Sequence, residues 1–517
     1  MMLCLTYLDS VMFFNPVRLL LFVGWFYCCT GCVKYVEFSR AIPDELRLFA
    51  KIFTLFFGPL VVFSVRVIEF FKKCVEGKSS YYNFFNEIFG GFFKVEMPTG
   101  IQSSKEKIAL FDSSGKTLDE IYSSSKKEKS SKGIIEITER IIADAIEKRA
   151  SDILIDPRTE SSYLIRIRVD GLLRDYEQFD TKTASAIVNS IKAISRMDIA
   201  ERRRPQDGSF CAQVSRGSIS LRVASAGVLN GEKLSIRVLN QFEGLIGLKD
   251  IGMSQEQYRK VDQVINQPSG MVLVCGPTGS GKTTTLYSLL QAIDTSSRNV
   301  ISVEDPIEYT IGNVSQIEVN TKADITFAKA LGSVLRQDPD VICIGEIRDQ
   351  ETAGIAVQAA QTGHLVIATI HSNSNVSALV RLLDLGVKPL LLSSAISLIV
   401  SQRLVRNLCP YCKSMETLSQ DQIQKLGTRG VNYKNIYRAS GCMSCDNTGY
   451  KGRKGVFDVM AIDDRIRKDI LDGNLSAQTA KAYEERDGKS NMQKEAMKKV
   501  LTGVTTWQEV KRVVSTI

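Results

Sequence analysis

The apolar positions change period several times along the chain. Near the amino end, Leu19 to Val33 and Ile52 to Val65 run without a charge. Each run is shorter than the roughly 18–20 apolar residues a spanning helix needs. Arg18, Lys34 and Arg66 at their edges can snorkel and lengthen both. Lys72-Lys73 suit a cytoplasmic flank. Residues 1–75 are therefore expected to associate with a membrane, as a hairpin or an interfacial anchor, with burial as core helices the alternative. Residues 76–132 are weakly patterned and end in the polar run Ser123-Ser124-Ser125-Lys126-Lys127-Glu128-Lys129-Ser130-Ser131-Lys132, which reads as a flexible, partly disordered linker. From Ile134 a helical period begins, with Ile134, Ile137, Ile141, Ile142, Ala145 and Ile146 on one face. Strand alternation follows, as in Leu164-Ile165-Arg166-Ile167-Arg168-Val169 before the turn Asp170-Gly171. This mixture predicts an α+β region over 133–240. From Glu256 strands alternate with helices, which predicts a parallel or mixed α/β sheet over 250–405. The last stretch, 456–517, reads as helical.

Length changes the picture by excluding a single core: 517 residues call for two to four domains. The 66 basic and 57 acidic residues leave a charge of +9, a mild excess compatible with an anionic membrane face or nucleic acid and diagnostic of neither. Cys211, Cys275 and Cys343 sit singly in apolar runs and read as reduced core residues.

The chemistry is concentrated in the second half. Met271-Val272-Leu273-Val274-Cys275 is an apolar strand. It leads into Gly276-Pro277-Thr278-Gly279-Ser280-Gly281-Lys282-Thr283, continued by Thr284 into a helical pattern. Strand, glycine loop and helix make this a phosphate-binding loop of a nucleotide triphosphatase. Glycines let successive N–H groups wrap anionic oxygens at the helix start. Lys282 is placed for the β- and γ-phosphates and the Thr283 hydroxyl for Mg²⁺.

Downstream, Ile301-Ser302-Val303 delivers Glu304-Asp305 to a strand end stopped by Pro306. Two carboxylates there suit Mg²⁺ or the attacking water, with a solvated strand terminus the alternative. Val341 to Gly345 forms a second buried strand ending in Glu346, the best candidate to orient or deprotonate water at the sheet's carboxyl edge. Arg336 and Arg348 flank it and suit developing phosphoryl charge. The only histidines bracket the strand Leu365 to Ile370. His371 follows it and can sense a γ-phosphate, although isolated histidines are more often structural.

Cys409-Pro410-Tyr411-Cys412 and Cys442-Met443-Ser444-Cys445 are two C-x-x-C pairs with 29 residues between them. Four thiolates fit a closed tetrahedral metal site, with zinc the default. Two redox dithiols are the alternative, without a thioredoxin-like context.

Together these residues resemble the secretion-type hexameric ATPases, the type II secretion and type IV pilus assembly motors. The resemblance covers residues 133–517. It rests on the loop Gly276 to Thr283, on Glu304-Asp305-Pro306-Ile307-Glu308 as the family's Asp box, on Gly345-Glu346 as Walker B, on the His371 segment as the His box, and on the tetracysteine. Upstream, Ala150 to Pro157 and Asp198 to Gly208 look like the family's N-terminal ATPase subdomain. The resemblance implies a RecA-like P-loop core at 250–405, a PAS-like α+β subdomain at 133–240 and a zinc-binding region at 406–455. It further implies ATP, Mg²⁺ and Zn²⁺ as ligands. Arg222 and Arg237 would reach the nucleotide when the subdomains close. It implies a homo-hexamer at the cytoplasmic face of the inner membrane, driving a platform protein. Leu154 departs from the family's usual histidine, and the apolar amino end replaces its soluble docking domain. The tetracysteine favours the assembly or secretion branch over retraction motors. A DNA uptake or conjugation motor is the rival, but no aromatic-interleaved basic groove supports nucleic acid. A nucleotide-gated membrane scaffold with little turnover is a further alternative, opposed by the intact Lys282 loop and Glu346.

Overall fold

The computed structural model describes residues 108–123, 128–215, 217–239, 245–417, 435–475, 485–486 and 489–514. The two apolar runs within residues 1–75 lie outside these described residues, and so does the whole stretch 76–107. Among the described residues, no helix is long and apolar enough to cross a membrane.

The first sheet is built from β1 (Ala109–Phe111), β2 (Ala150–Thr159), β3 (Ser162–Val169), β4 (Leu172–Asp180), β5 (Gln206–Val214), β6 (Gly217–Val228) and β7 (Gly231–Leu239). Its order is β1-β5-β6-β7-β2-β3-β4, with antiparallel pairing throughout. In β3 the side chains alternate strictly between half-buried and buried, as a sheet with one covered face requires. The helices Glu128–Glu147 and Thr181–Ile194 bring Ile141, Ile142, Ala145, Ile187, Ile191 and Ile194 into the core that this sheet closes. Asp180 caps the second helix by accepting from the N–H of Thr183. Lys192 is fully buried, paired to Glu232 at 2.7 Å and bonded to the carbonyl of Glu201 at 2.6 Å. A buried cation held this way pins the 195–205 loop to β7.

Two expectations need correction here. Residues 76–132 do not all read as linker. β1 pairs with β5, Leu110 and Leu118 are buried, and the first long helix already starts at Glu128. A three-residue strand is too short to show a period. The stretch 456–517 is not wholly helical either, because its first residues continue a strand that begins at Tyr450.

The second sheet follows the alternation of strand and helix. It contains β8 (Gly270–Cys275), β9 (Val300–Glu304), β10 (Ser315–Glu318), β11 (Val341–Ile344), β12 (Leu365–Ile370) and β13 (Ile396–Leu408). After the small hairpin β14 (Ser414–Thr417) and β15 (Asn435–Arg438), β16 (Tyr450–Ala461) returns to the edge of that sheet. The order is β10-β9-β11-β12-β8-β13-β16, parallel except for β16, which runs antiparallel to β13. β8, β11 and β12 are buried at every position, as strands covered on both faces must be. Separate apolar clusters line the two faces. Asp170, at the β3–β4 turn, accepts from the N–H of Gly452 at 3.0 Å and so joins the first subdomain to β16.

Candidate active site

Parallel strands leave their carboxyl ends on one edge, and the polar residues gather there. β8 ends at Cys275 and the phosphate loop begins. Gly279 (φ +75°) and Gly281 (φ +88°) take left-handed conformations that favour glycine. A Cβ on Gly276 would lie 2.4 Å from Ser280 Oγ and 2.8 Å from the carbonyl of Gln402. Gln402 is buried in β13 and donates to the Ser280 carbonyl at 2.7 Å, forming the floor of the loop. Pro277 is half-buried, Thr278 and Gly279 are exposed, and Thr283 and Thr284 enter the first turn of the helix Lys282–Ala292. Lys282 Nζ lies across the loop, 3.0 Å from the Gly276 carbonyl, 3.3 Å from that of Pro277 and 3.4 Å from His371 Nδ1. Burial draws its pKa down, and the nearby Glu346 works the other way. A half-buried ammonium resting on carbonyls, beside open N–H groups at a helix start, fits an incoming polyphosphate.

Glu346 follows β11 and His371 follows β12. Glu346 Oε2 is 3.3 Å from His371 Nε2, and its other oxygen pairs with Arg348. Arg348 is 3.8 Å from Asp305 Oδ2. Thr369 holds the turn by donating to the Gly345 carbonyl at 2.6 Å and accepting from the Ile347 N–H at 2.9 Å through its own carbonyl. The structure thus joins Lys282, His371, Glu346, Arg348 and Asp305 in one chain of contacts. The other histidine, His364, is at the opposite end of β12, bonded to the carbonyl of Ala359 at 3.0 Å. Arg336 is exposed and precedes β11, so it too belongs to the far edge.

The adjacent carboxylates Glu304 and Asp305 do not act as a pair. Glu304 is 3 % exposed. It accepts from Tyr287, from Ser302 at 2.6 Å and from Gln316 at 2.9 Å. Its acceptors are committed to the protein interior, and only Asp305 opens toward Arg348.

Arg222 and Arg237 are cross-strand neighbours on β6 and β7. Arg237 also lies 3.6 Å from Asp152. Both are close enough to Glu308 to counter part of the upward shift that burial imposes on its carboxyl, to which Glu304 adds. These arginines therefore lie within electrostatic reach of Glu308. No described hydrogen bond or ion pair joins them to the phosphate loop itself.

The cysteine cluster is separate from this edge. Cys409, Cys412, Cys442 and Cys445 place their sulfurs within 4.8 Å of one another. Cys409–Cys442 and Cys412–Cys445 are 3.8 Å apart, and Cys442–Cys445 3.7 Å. A tetrahedron of Zn–S bonds of about 2.3 Å has edges of about 3.8 Å, so the four residues fit that ion. Burial opposes ionisation of Cys445, but the N–H groups of Cys442 and Gly449, both 3.2 Å from its sulfur, outweigh it and bring the thiol to about 7. The donor set is complete with four sulfurs and leaves no open position.

Gln402 and Tyr287 were not singled out from the sequence. Gln402 left one signal, a polar break within the apolar run of β13. Tyr287 reads simply as one more residue of the helical pattern that follows the loop.

A glycine phosphate loop on a parallel sheet, with a carboxylate and a histidine at the next strand ends, defines a P-loop nucleotide triphosphatase. The preceding antiparallel subdomain and the tetracysteine narrow the class. A family model described as "Type II/IV secretion system protein" matches residues 127–512. Type II secretion system protein E of Dickeya dadantii is 42% identical over 380 residues, 74% of this chain and 75% of that protein. Type II secretion system ATPase E of Vibrio cholerae is 39% identical over 380 residues, again 74% and 75% of the two chains. The X-ray structure of the Legionella pneumophila ATPase DotB matches with a TM-score of 0.54 at 20% identity, covering 73% of this chain and 95% of that chain, a likeness of fold. The chain belongs to the type II/IV secretion system protein family and is an ATP-hydrolysing motor of secretion or pilus systems.

Proposed function

We propose that ATP is hydrolysed at the edge formed by β8, β9, β11 and β12, and that the contact chain from Lys282 through His371 to Glu346 and Arg348 carries the reaction. That chain is the observation on which the reading rests. The loop Gly276 to Thr284 binds the phosphates through its N–H groups, of which Pro277 has none, and through the Lys282 ammonium. Glu346 orients the attacking water and takes its proton, with His371 holding one carboxylate oxygen and Arg348 the other. Thr283 and Asp305 are the residues that would hold Mg²⁺, which when bound neutralises charge on the β- and γ-oxygens. Glu304 supports the site from behind, and Arg222 and Arg237 act when the first subdomain closes on the second. Cys409, Cys412, Cys442 and Cys445 would hold a structural Zn²⁺ that fixes the base of β13 and β16.

At the level of the cell, the chain works as a homo-hexamer on the cytoplasmic face of the inner membrane. There it drives a platform protein that extrudes pilin-like subunits or secreted protein. Residues 1–75 supply membrane attachment, and the chain is divided as 76–132, 133–240, 250–405, 406–455 and 456–517, with β1 joining the first subdomain and β16 the second. The deciding experiment compares ATP affinity and turnover in two variants. Lys282→Ala should abolish binding. Glu346→Gln should bind ATP normally and lose about 10²–10⁴-fold in kcat, the usual contribution of a positioned base. Wild-type turnover in Glu346→Gln would remove Glu346 from the reaction.

A further inference from the structure

The helix that opens at Lys282 carries a buried polar group for which the proposed reaction has no direct use. Tyr287 lies about one and a half turns after Lys282 and is 1 % exposed. Its hydroxyl donates to Glu304 and accepts the N–H groups of Glu308 at 3.1 Å and Tyr309 at 3.3 Å. One donor and two lone pairs are all that a tyrosine hydroxyl offers, and all are engaged. Its ring meets that of Tyr309 edge to face, with centroids 5.5 Å apart. Gln316, on β10, clasps the same segment from the other side. It donates to Glu304 at 2.9 Å and to the Tyr309 carbonyl at 3.0 Å, and accepts from the Ile311 N–H at 2.8 Å.

The clasped segment carries two further carboxylates, those of exposed Asp305 and half-buried Glu308. Asp305 reaches Arg348, and Glu308 feels the charges of Arg237 and Arg222 of the first subdomain as well as that of Glu304. One hydroxyl thus ties the helix that receives the phosphates to the segment that faces the other subdomain. Phenylalanine would fill the same space without burying a polar group. The hydroxyl is therefore there for its bonds, since a buried hydroxyl without them is destabilising.

We propose that Tyr287 is a positioning residue, whose hydroxyl makes the phosphate-loop helix and the 305–309 segment move as one body, so that Glu308 meets Arg222 and Arg237 in register with bound nucleotide. The proposal rests on the reading that these arginines act during subdomain closure.

Tyr287→Phe in the full-length chain keeps the ring contact and removes only the hydroxyl. The expected result is a fall of about tenfold in kcat for ATP hydrolysis, with KM for ATP within about twofold of wild type. Gln316→Ala, which loosens the segment from its other side, should give the same split. In an Arg237→Ala background Tyr287→Phe should add less than about twofold, because coupled residues are not additive. A merely structural tyrosine would add its full effect in the double variant, which overturns the proposal. So does a kcat for Tyr287→Phe within about twofold of wild type when Arg237→Ala is slow. If Arg237→Ala is itself silent, the closure reading fails and this coupling with it. Should Tyr287→Phe not fold, Gln316→Ala and its double variant with Arg237→Ala decide by the same criteria.

Discussion

Replacing Glu509 with glutamine should cost the folded chain about 3 kcal/mol at neutral pH and much less in acid. Glu509 is 1 % exposed, on the C-terminal helix Trp507–Val514. Its carboxylate accepts from the Arg406 side chain at 2.8 Å and N–H at 3.2 Å, and from Arg512 at 2.6 and 2.9 Å. Burial alone would raise its pKa. The two guanidiniums and the Arg406 N–H overcome burial and lower it from 4.5 to about 2. A pKa depressed in the folded state adds stability that is fully present above the unfolded value. That stability is lost as pH falls from 4.5 toward 2. At about 1.4 kcal/mol for each pH unit of the gap, the total is about 3 kcal/mol, of which about 1 kcal/mol survives at pH 3. Urea unfolding of wild type and Glu509→Gln at pH 7 and pH 3 reads the difference, and Trp507 on the same helix provides a fluorescent probe. A gap equal at both pH values, or one below about 1 kcal/mol at pH 7, would refute the assignment of that stability to an ionised, buried Glu509.

Other consequences are as direct. Purified protein should carry about one zinc per chain, and Cys442→Ser should lose it and lower the thermal midpoint, because structural metal binding is coupled to folding. Metal analysis that finds none in fresh, reduced protein removes the zinc. Arg222→Ala should reduce kcat more than it weakens ATP binding, since the charge it meets grows toward the transition state. Equal losses would make it a ground-state contact. Full-length protein should stay with membranes in high salt while residues 76–517 are released, and release of the full-length chain by salt alone would make the attachment electrostatic.

What the sequence made legible was local. The phosphate loop is a run of consecutive residues, and each cysteine knuckle needs only four, so spacing alone located both. Glu346 and His371 could be placed at strand ends one at a time, but not in contact. Their meeting depends on β11 and β12 lying side by side in parallel, a property of sheet order. β16 escaped notice for the same reason. Its partner β13 is distant in sequence, and the lysines, arginine and glycines of Tyr450 to Gly455 hide its alternation.

The Asp box shows most clearly how adjacency in sequence misleads. Glu304 and Asp305 look like a carboxylate pair for one ion. Glu304 is still extended, as the last residue of β9, and successive side chains of an extended backbone point to opposite faces. One carboxylate must therefore turn inward if the other turns to the site. The inward one would be expelled from an apolar interior were it not given donors. Tyr287, Ser302 and Gln316 are those donors, drawn from a helix, from β9 itself and from the neighbouring strand β10. A residue read as catalytic from its neighbours in sequence thus becomes, once the pleat is imposed, the anchor against which the phosphate-loop helix and the Asp305 segment are held together. The chemistry at Glu346 and the geometry at Glu304 answer to different constraints, and variants at the two should fail differently. On the proposed reading, loss of Glu346 removes a proton acceptor from an intact site. Loss of Glu304 leaves Tyr287, Ser302 and Gln316, the first two of them buried, without their acceptor and loosens the segment that Asp305 and Glu308 share.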